Sequence, residues 1–261
     1  MKILAVDTAT AWQSVAILDG ERVLGLHDQP AGGAHARLLL PAIDRLFKDT
    51  DLAPQQLDGL VVSIGPGSFT GLRVGLATML AFRTITKAPL VTVPTLEGMA
   101  WNLRGTSTPL CPVLNSRRGE LYWAVFQWVG TGRLHQLLPE QVGTPDMLGK
   151  QLNGSVVLYG EGWWTEQAAI KAAVGRDVTI VEAADHMRPS AVSVGLAGIA
   201  RFQQGEQAGV VVSPLYVQRS EAELKYEQSG GLSPVARRRE KVARKLKNRR
   251  ALALARTRRN A

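Results

Sequence analysis

The sequence predicts an α/β fold built from two halves. Three observations carry this. Short apolar runs of strand length alternate with stretches whose apolar residues recur every three to four positions. Glycine and proline punctuate the junctions. An opening meander followed by helix, strand, helix and strand returns more loosely after about residue 105. The 45% hydrophobic content is enough for a sizeable core.

In the first half, Ile3–Val6 is a β-branched strand ending at Asp7-Thr8-Ala9-Thr10. Trp12–Leu18 is a second strand. It turns at Asp19-Gly20 into a third, Arg22–His27, an Asp-Gly hairpin signal between apolar runs. After the loop Pro30-Ala31-Gly32-Gly33, His35–Lys48 reads as an amphipathic helix on Leu39, Ile43 and Leu46/Phe47. Leu57–Ile64 is an apolar strand that stops at Gly65-Pro66-Gly67. Ser68 or Thr70 then caps a helix running to about Thr86. Leu90–Val93 and a helix over Thr95–Leu103 close this half.

In the second half, Cys111–Asn115 and Glu120–Val129 read as strands joined at Ser116-Arg117-Arg118-Gly119. Val156–Tyr159 is a strand ending in Gly160-Glu161-Gly162. A helix over Thr165–Val174, a short strand Val178–Val181 and a helix Ser190–Gln204 come after it. The fewer recognisable elements make this half look degraded. The expected division is 1–105, 106–226 and a segment 227–261, which is helical or disordered.

Charge isolates that last segment. Residues 232–261 hold 12 Lys/Arg and one acid, Glu240, a net of +11. The whole chain has 31 basic and 22 acidic residues, so residues 1–231 hold 19 and 21, a net of −2. The body is nearly neutral, and the basic segment suits nucleic-acid phosphates, with RNA the natural candidate. The longest apolar runs, such as Leu38–Leu40, are far below the ~18 residues a membrane span needs. Asp7 interrupts the first apolar run before it resembles a signal-peptide core. A single cysteine, Cys111, in an apolar strand context suits a buried inert thiol in a reducing compartment. A cytoplasmic protein with no membrane partner is expected.

Two segments are candidates for phosphate chemistry. Asp7 and Thr8 lie at the turn after the first strand, where a carboxylate suits hydrated Mg²⁺ and a hydroxyl suits phosphate. Asp7 also suits a strand end that bonds local amides, and no glycine lies in this turn to ease close approach of the backbone to a phosphate. Gly65, Gly67 and Ser68 form a glycine loop before a helix, which cradles an anion or simply makes a tight turn. It is not a P-loop, because no Gly-Lys-Ser/Thr comes after it. The helix beyond it has Gly71, Gly75 and Ala77/Thr78 on one face. Small residues at that spacing favour close helix packing, within the core or across subunits. His27, His35, His135 and His186 have no metal-ligand spacing, so neither a catalytic residue nor a metal ligand is assigned. Arg117 and Arg118 suit a carboxylate or phosphate grip, or a solvated turn.

Several collinear pieces of the chain together resemble the TsaB (YeaZ) family. They are Ile3–Thr8, His35-Ala36-Arg37-Leu38-Leu39-Leu40-Pro41, Gly65–Gly75, Pro94-Thr95-Leu96-Glu97-Gly98-Met99-Ala100, Ser116–Tyr122, Gly160-Glu161-Gly162 and Pro214-Leu215-Tyr216. The resemblance implies a two-lobed actin-like ATPase (ASKHA) fold. It implies a non-catalytic subunit in the formation of threonylcarbamoyladenosine at tRNA position 37, scaffolding the catalytic subunit TsaD. It also implies a homodimer, a TsaE-like ATPase partner, and tRNA met through the complex. The implied docking face takes in His35, Leu39, Ile43, Thr70, Arg73, Val74, Gly75 and Thr78. No cofactor is expected to be firmly held, with ATP or ADP and Mg²⁺ at a subunit interface as the remaining role for Asp7, Thr8 and the Gly65 loop. The catalytic relative carries a His-x-x-x-His metal pair where this chain has Thr95 and Met99, a hydroxyl and a thioether in place of two imidazoles. Asn115-Ser116 replaces the family's Asp-Ala, and the segment beyond about Tyr226 has no family counterpart. A stand-alone ATP-dependent enzyme of the same fold is the alternative.

Overall fold

The computed structural model describes residues 1–218 apart from Thr131 and Val210, so the expected basic segment lies outside the described residues. The first half contains β1 (Lys2–Asp7), β2 (Trp12–Asp19), β3 (Arg22–Pro30), α1 (His35–Asp49), β4 (Gly59–Ser63), α2 (Phe69–Thr86), β5 (Leu90–Val93) and α3 (Thr95–Ala100). The second contains β6 (Leu110–Asn115), β7 (Leu121–Val129), β8 (Arg133–Gly143), α4 (Pro145–Gln151), β9 (Ser155–Tyr159), α5 (Glu161–Ala173), β10 (Thr179–Glu182) and α6 (Ala191–Gln203).

The two halves have the same topology. The first sheet runs β3-β2-β1-β4-β5 and the second β8-β7-β6-β9-β10. In each, three antiparallel strands are followed by two parallel ones. The second half is therefore complete rather than degraded. Sequence reading missed β8 and α4.

The layers arise from the period-2 alternation of strands that are buried on both faces. On the first sheet, Ile3, Ala5, Ala16, Leu18 and Val61 face one cluster, while Leu4, Val6, Val15, Ile17 and Val62 face another. The second cluster is closed by Leu39 and Ile43 of α1 and Leu76 and Met79 of α2. The first cluster continues through α3 and α6 to Tyr122, Ala124, Phe126 and Tyr159 of the second sheet. The far side of that sheet, with Trp123 and Leu158, packs on Leu148 of α4 and Trp163 and Ile170 of α5. The order is α1/α2, sheet, α3/α6, sheet, α4/α5.

Glycines set the helix seats. A Cβ on Gly198 of α6 would lie 2.4 Å from Val61, and one on Gly195 would lie 2.8 Å from Leu18. So α6, though late in the chain, lies directly on the first sheet. Arg201 of α6 makes a two-pronged ion pair with Glu97 of α3, at 2.6 and 3.1 Å. The expected helix over Thr165–Val174 starts four residues earlier, at Glu161. Gly162 had suggested a loop, but its missing Cβ lets α5 approach the Leu114 backbone. Among the described residues no helix is long and apolar enough to cross a membrane.

Candidate functional site

Of the nine buried polar or charged side chains among the described residues, eight gather at one end of the first sheet: Asp7, Thr8, Thr10, Gln13, Ser14, His35, Ser63 and Thr95. They lie where β1 and β4 end, β2 begins, and α1 and α3 start. That end of an open α/β sheet is the usual place for a ligand.

Here the chain fills the place itself. The Ser68 N–H donates to Ala9 O at 2.6 Å. Ser68 Oγ accepts from the Gly71 N–H at 3.2 Å, so Ser68 is the cap of α2. Thr8 Oγ1 donates to Gly71 O at 2.8 Å. The Gly65 N–H donates to Thr95 Oγ1 at 3.1 Å, and the Thr95 N–H returns a bond to Gly65 O at 2.7 Å. A Cβ on Gly67 would meet the Ala9 carbonyl and methyl group. The turn after β1 and the Gly65 loop are thus fastened face to face.

Asp7 is 1% exposed. Its Oδ1 accepts from the Ala9 N–H at 3.0 Å, and Oδ2 has no partner. Burial pushes its pKa up to about 6, against the opposing pull of the Ser63 hydroxyl, the Ala9 amide and His35; Asp28 adds to the rise. Asp7, Thr8, Gly65, Gly67 and Ser68 are brought together as expected. They fit a nucleotide phosphate or hydrated Mg²⁺ poorly in this arrangement, because Thr8 Oγ1 and the Gly65 and Ser68 amides already donate within the chain and the Asp7 carboxyl is buried. Among the described residues no three of His, Cys, Asp or Glu gather closely enough for a metal.

Thr95 and Met99 are both fully buried. Thr95 holds the Gly65 loop, and Met99 reaches to Gly160. Both side chains serve to hold this end of the fold together.

The small face of α2 points inward. A Cβ on Gly71 would strike Thr8 O, and one on Gly75 would lie 2.3 Å from Thr8 Oγ1. Gly75 is therefore no docking residue: it is buried against its own chain. His35, Leu39 and Ile43 are likewise buried, His35 bonding Trp12 O and the other two packing on the sheet. Thr70 and Arg73 are exposed, and Val74 and Thr78 are half-buried. The outward face of α2 is thus Thr70, Arg73, Ala77, Ala81, Thr84 and Ile85, uncharged apart from Arg73, with Ile85 65% exposed. The neighbouring α1 shows solvent the charged residues Arg37, Asp44, Arg45, Lys48 and Asp49, with Leu40 57% exposed.

Two groupings escaped sequence reading. Arg73 lies over the Phe69 ring at 3.8 Å and donates to Tyr216 Oη at 2.8 Å, and the two rings stack at 5.0 Å. Arg188 lies 3.6 Å over Trp12, and the two line a polar cleft of about 330 Å³ together with Gln13 and Asp28. Separations of 143 residues and more leave no local signal for either. Arg118, in the β6–β7 turn, takes a left-handed φ of 59°.

Residues 21–226 match the family model described as TsaD, tRNA N6-adenosine threonylcarbamoyltransferase. The tRNA threonylcarbamoyladenosine biosynthesis protein TsaB of Bacillus subtilis (strain 168) is 31% identical over 233 residues, which cover 88% of this chain and 99% of that protein. YeaZ from Pseudomonas aeruginosa has a TM-score of 0.70 at 24% identity, covering 82% of this chain and 99% of that one. A ROK hexokinase from Thermus thermophilus has a TM-score of 0.50 at 14% identity, covering 78% and 100%. The structural likenesses establish a two-lobed, actin-like α/β fold.

Proposed function

This chain belongs to the TsaB family, and from that premise we propose that it serves tRNA threonylcarbamoyladenosine biosynthesis as a non-catalytic subunit. Its role is to dock a TsaD-like catalytic subunit, which carries out the transfer to tRNA. The observation that carries the reading is the outward face of α2. A long helix normally turns charge to solvent, as α1 does. The outward face of α2 instead offers Ala77, Ala81 and Ile85, with Arg73 as the sole charge. Small and apolar residues on an exposed helix let a partner helix approach closely.

Two further features support the absence of chemistry in this chain. The residues standing where the catalytic relative has imidazoles are buried Thr95 and Met99. The polar groups at the end of the first sheet bond each other. No step of the role is routed through a nucleotide. The same α2 face suits a second copy of the chain, so homodimer and heterodimer compete for it. A TsaE-like ATPase joins the assembled pair.

The test is co-purification of tagged chain with the catalytic subunit, wild type against Ala77→Arg and Ala81→Arg. Both positions are exposed, so melting temperature should stay unchanged while the complex is lost. Retention of the complex by both variants would remove the basis for the docking face. Gly75→Arg does not serve, because it would unseat α2 from Thr8.

A further inference from the structure

The one charge on the outward face of α2 is held in place but not neutralised. Arg73 is exposed, and among the described residues no carboxylate forms an ion pair with it. Phe69 lies one turn earlier on α2, and the Arg73 guanidinium sits 3.8 Å over its ring. Arg73 Nε donates to Tyr216 Oη at 2.8 Å. The Tyr216 ring stacks on Phe69 at 5.0 Å with 28° between the planes. Tyr216 is placed in turn by the backbone, because the Leu215 N–H donates to Ile64 O at 2.7 Å. Phe69 and Tyr216 are themselves 36% and 42% exposed.

This arrangement suits a recognition contact. One of the five guanidinium donors is spent on Tyr216, which leaves the four on the two Nη atoms. Those four make the fork that grips a carboxylate with two parallel bonds. The two rings restrict the side chain before a partner arrives, so less rotamer freedom is lost on binding. Exposed Arg, Tyr and Phe side by side are also the residue types that anchor protein interfaces.

The charge separates the two occupants that compete for the face. A second copy of this chain would present its own α1 and α2. There is no acidic residue in α2, and both acids of α1 are already engaged. Asp44 Oδ2 lies 2.7 Å from Lys48 Nζ, and Asp49 Oδ2 lies 3.2 Å from Arg45 Nε. Two copies would bring Arg73 and the exposed Arg37 from both sides to helices with no uncommitted carboxylate. Such unmatched like charge disfavours the wrong partner.

We propose that Arg73, clamped by Phe69 and Tyr216, reads a carboxylate on the docked catalytic subunit and so selects that subunit over a second copy of this chain. The inference rests on the docking face proposed above and names what that face discriminates.

The test uses the full chain and its Arg73→Gln and Tyr216→Phe variants, titrated calorimetrically with the purified catalytic subunit. Homodimer dissociation constants are measured on the same proteins by sedimentation velocity. Arg73→Gln should weaken the heterodimer roughly 10–100-fold, the loss of a two-pronged charged hydrogen bond, and should not weaken the homodimer. Tyr216→Phe keeps the charge and the ring stack but removes the Oη acceptor, and should weaken the heterodimer about 3–10-fold. The side chains are exposed, so melting temperatures should match the wild type. Heterodimer affinity of Arg73→Gln within about threefold of wild type overturns the proposal. So does a loss of homodimer as large as the loss of heterodimer. Ala77→Arg and Ala81→Arg are titrated alongside. If these two keep the complex, the docking face itself fails. If they lose it while Arg73→Gln keeps it, the face stands and only the role of Arg73 falls.

Discussion

Replacing Asp7 with Asn tests whether the end of the first sheet is sealed. Burial lifts the Asp7 pKa from 3.8 to about 6. The folded protein therefore keeps a proton there that the unfolded chain gives up in between. Stability from this group is complete below about pH 3.8, falls as pH rises to about 6, and stays low above. At 1.36 kcal/mol per pH unit, the carboxylate costs the folded state about 3 kcal/mol at neutral pH. Asn carries no such cost. Its amide oxygen can still accept from the Ala9 N–H, and it carries no charge to desolvate. Urea unfolding of both proteins between about pH 4 and 8 should show near-equal stability at the acid end. The variant should gain up to about 3 kcal/mol above pH 6. A stability difference that does not change with pH would refute the reasoning. So would stabilisation of the wild type by Mg²⁺ that the variant lacks, since a sealed carboxylate cannot reach the ion.

The same contacts predict other outcomes. Gly75→Ala puts a methyl group 2.3 Å from Thr8 Oγ1, and its relief breaks the bond to Gly71 O; thermal unfolding should shift down by roughly 3–10 °C, for a cost of about 1–3 kcal/mol. Thr95→Val leaves the buried Gly65 N–H without its acceptor and should cost about 1–3 kcal/mol in denaturant unfolding, with Thr95→Ser recovering most of it. Cys111 is fully buried and burial pushes its thiol up, so a thiol-reactive chromophore should label it only after unfolding.

Much of the fold was legible in single residues. Asp19-Gly20 specified the β2–β3 hairpin, and Gly20 takes the left-handed φ of 58° that such a turn needs. The two-sided apolar runs of β1, β4 and β9 announced strands buried on both faces. β8 was invisible because it is an edge strand of mixed exposure, with Leu137 54% exposed beside half-buried Leu134 and Val142. Without one wet and one dry face there is no alternation to read. The start of α4 did carry a signal: Thr144 caps Met147 N, and Pro145 takes the first helical position.

The candidate site was legible in its members but not in its sense. Periodicity shows that Gly71 and Gly75 share a face of α2. It does not show what meets that face. The structure supplies Thr8, more than sixty residues earlier, and so turns the small-residue stripe from a docking surface into a seat. The outward stripe of Ala77, Ala81 and Ile85 became the candidate face only because the inward one was taken. The chain's own order of apolar, turn and charged residues determined most of the elements and the neutral body with its basic C-terminal residues, because those depend on local spacing and count. Which face of each helix is free, and whether Asp7 meets solvent or a sealed wall, was decided by tertiary structure alone. Those answers depend on which distant segment returns to fill the space.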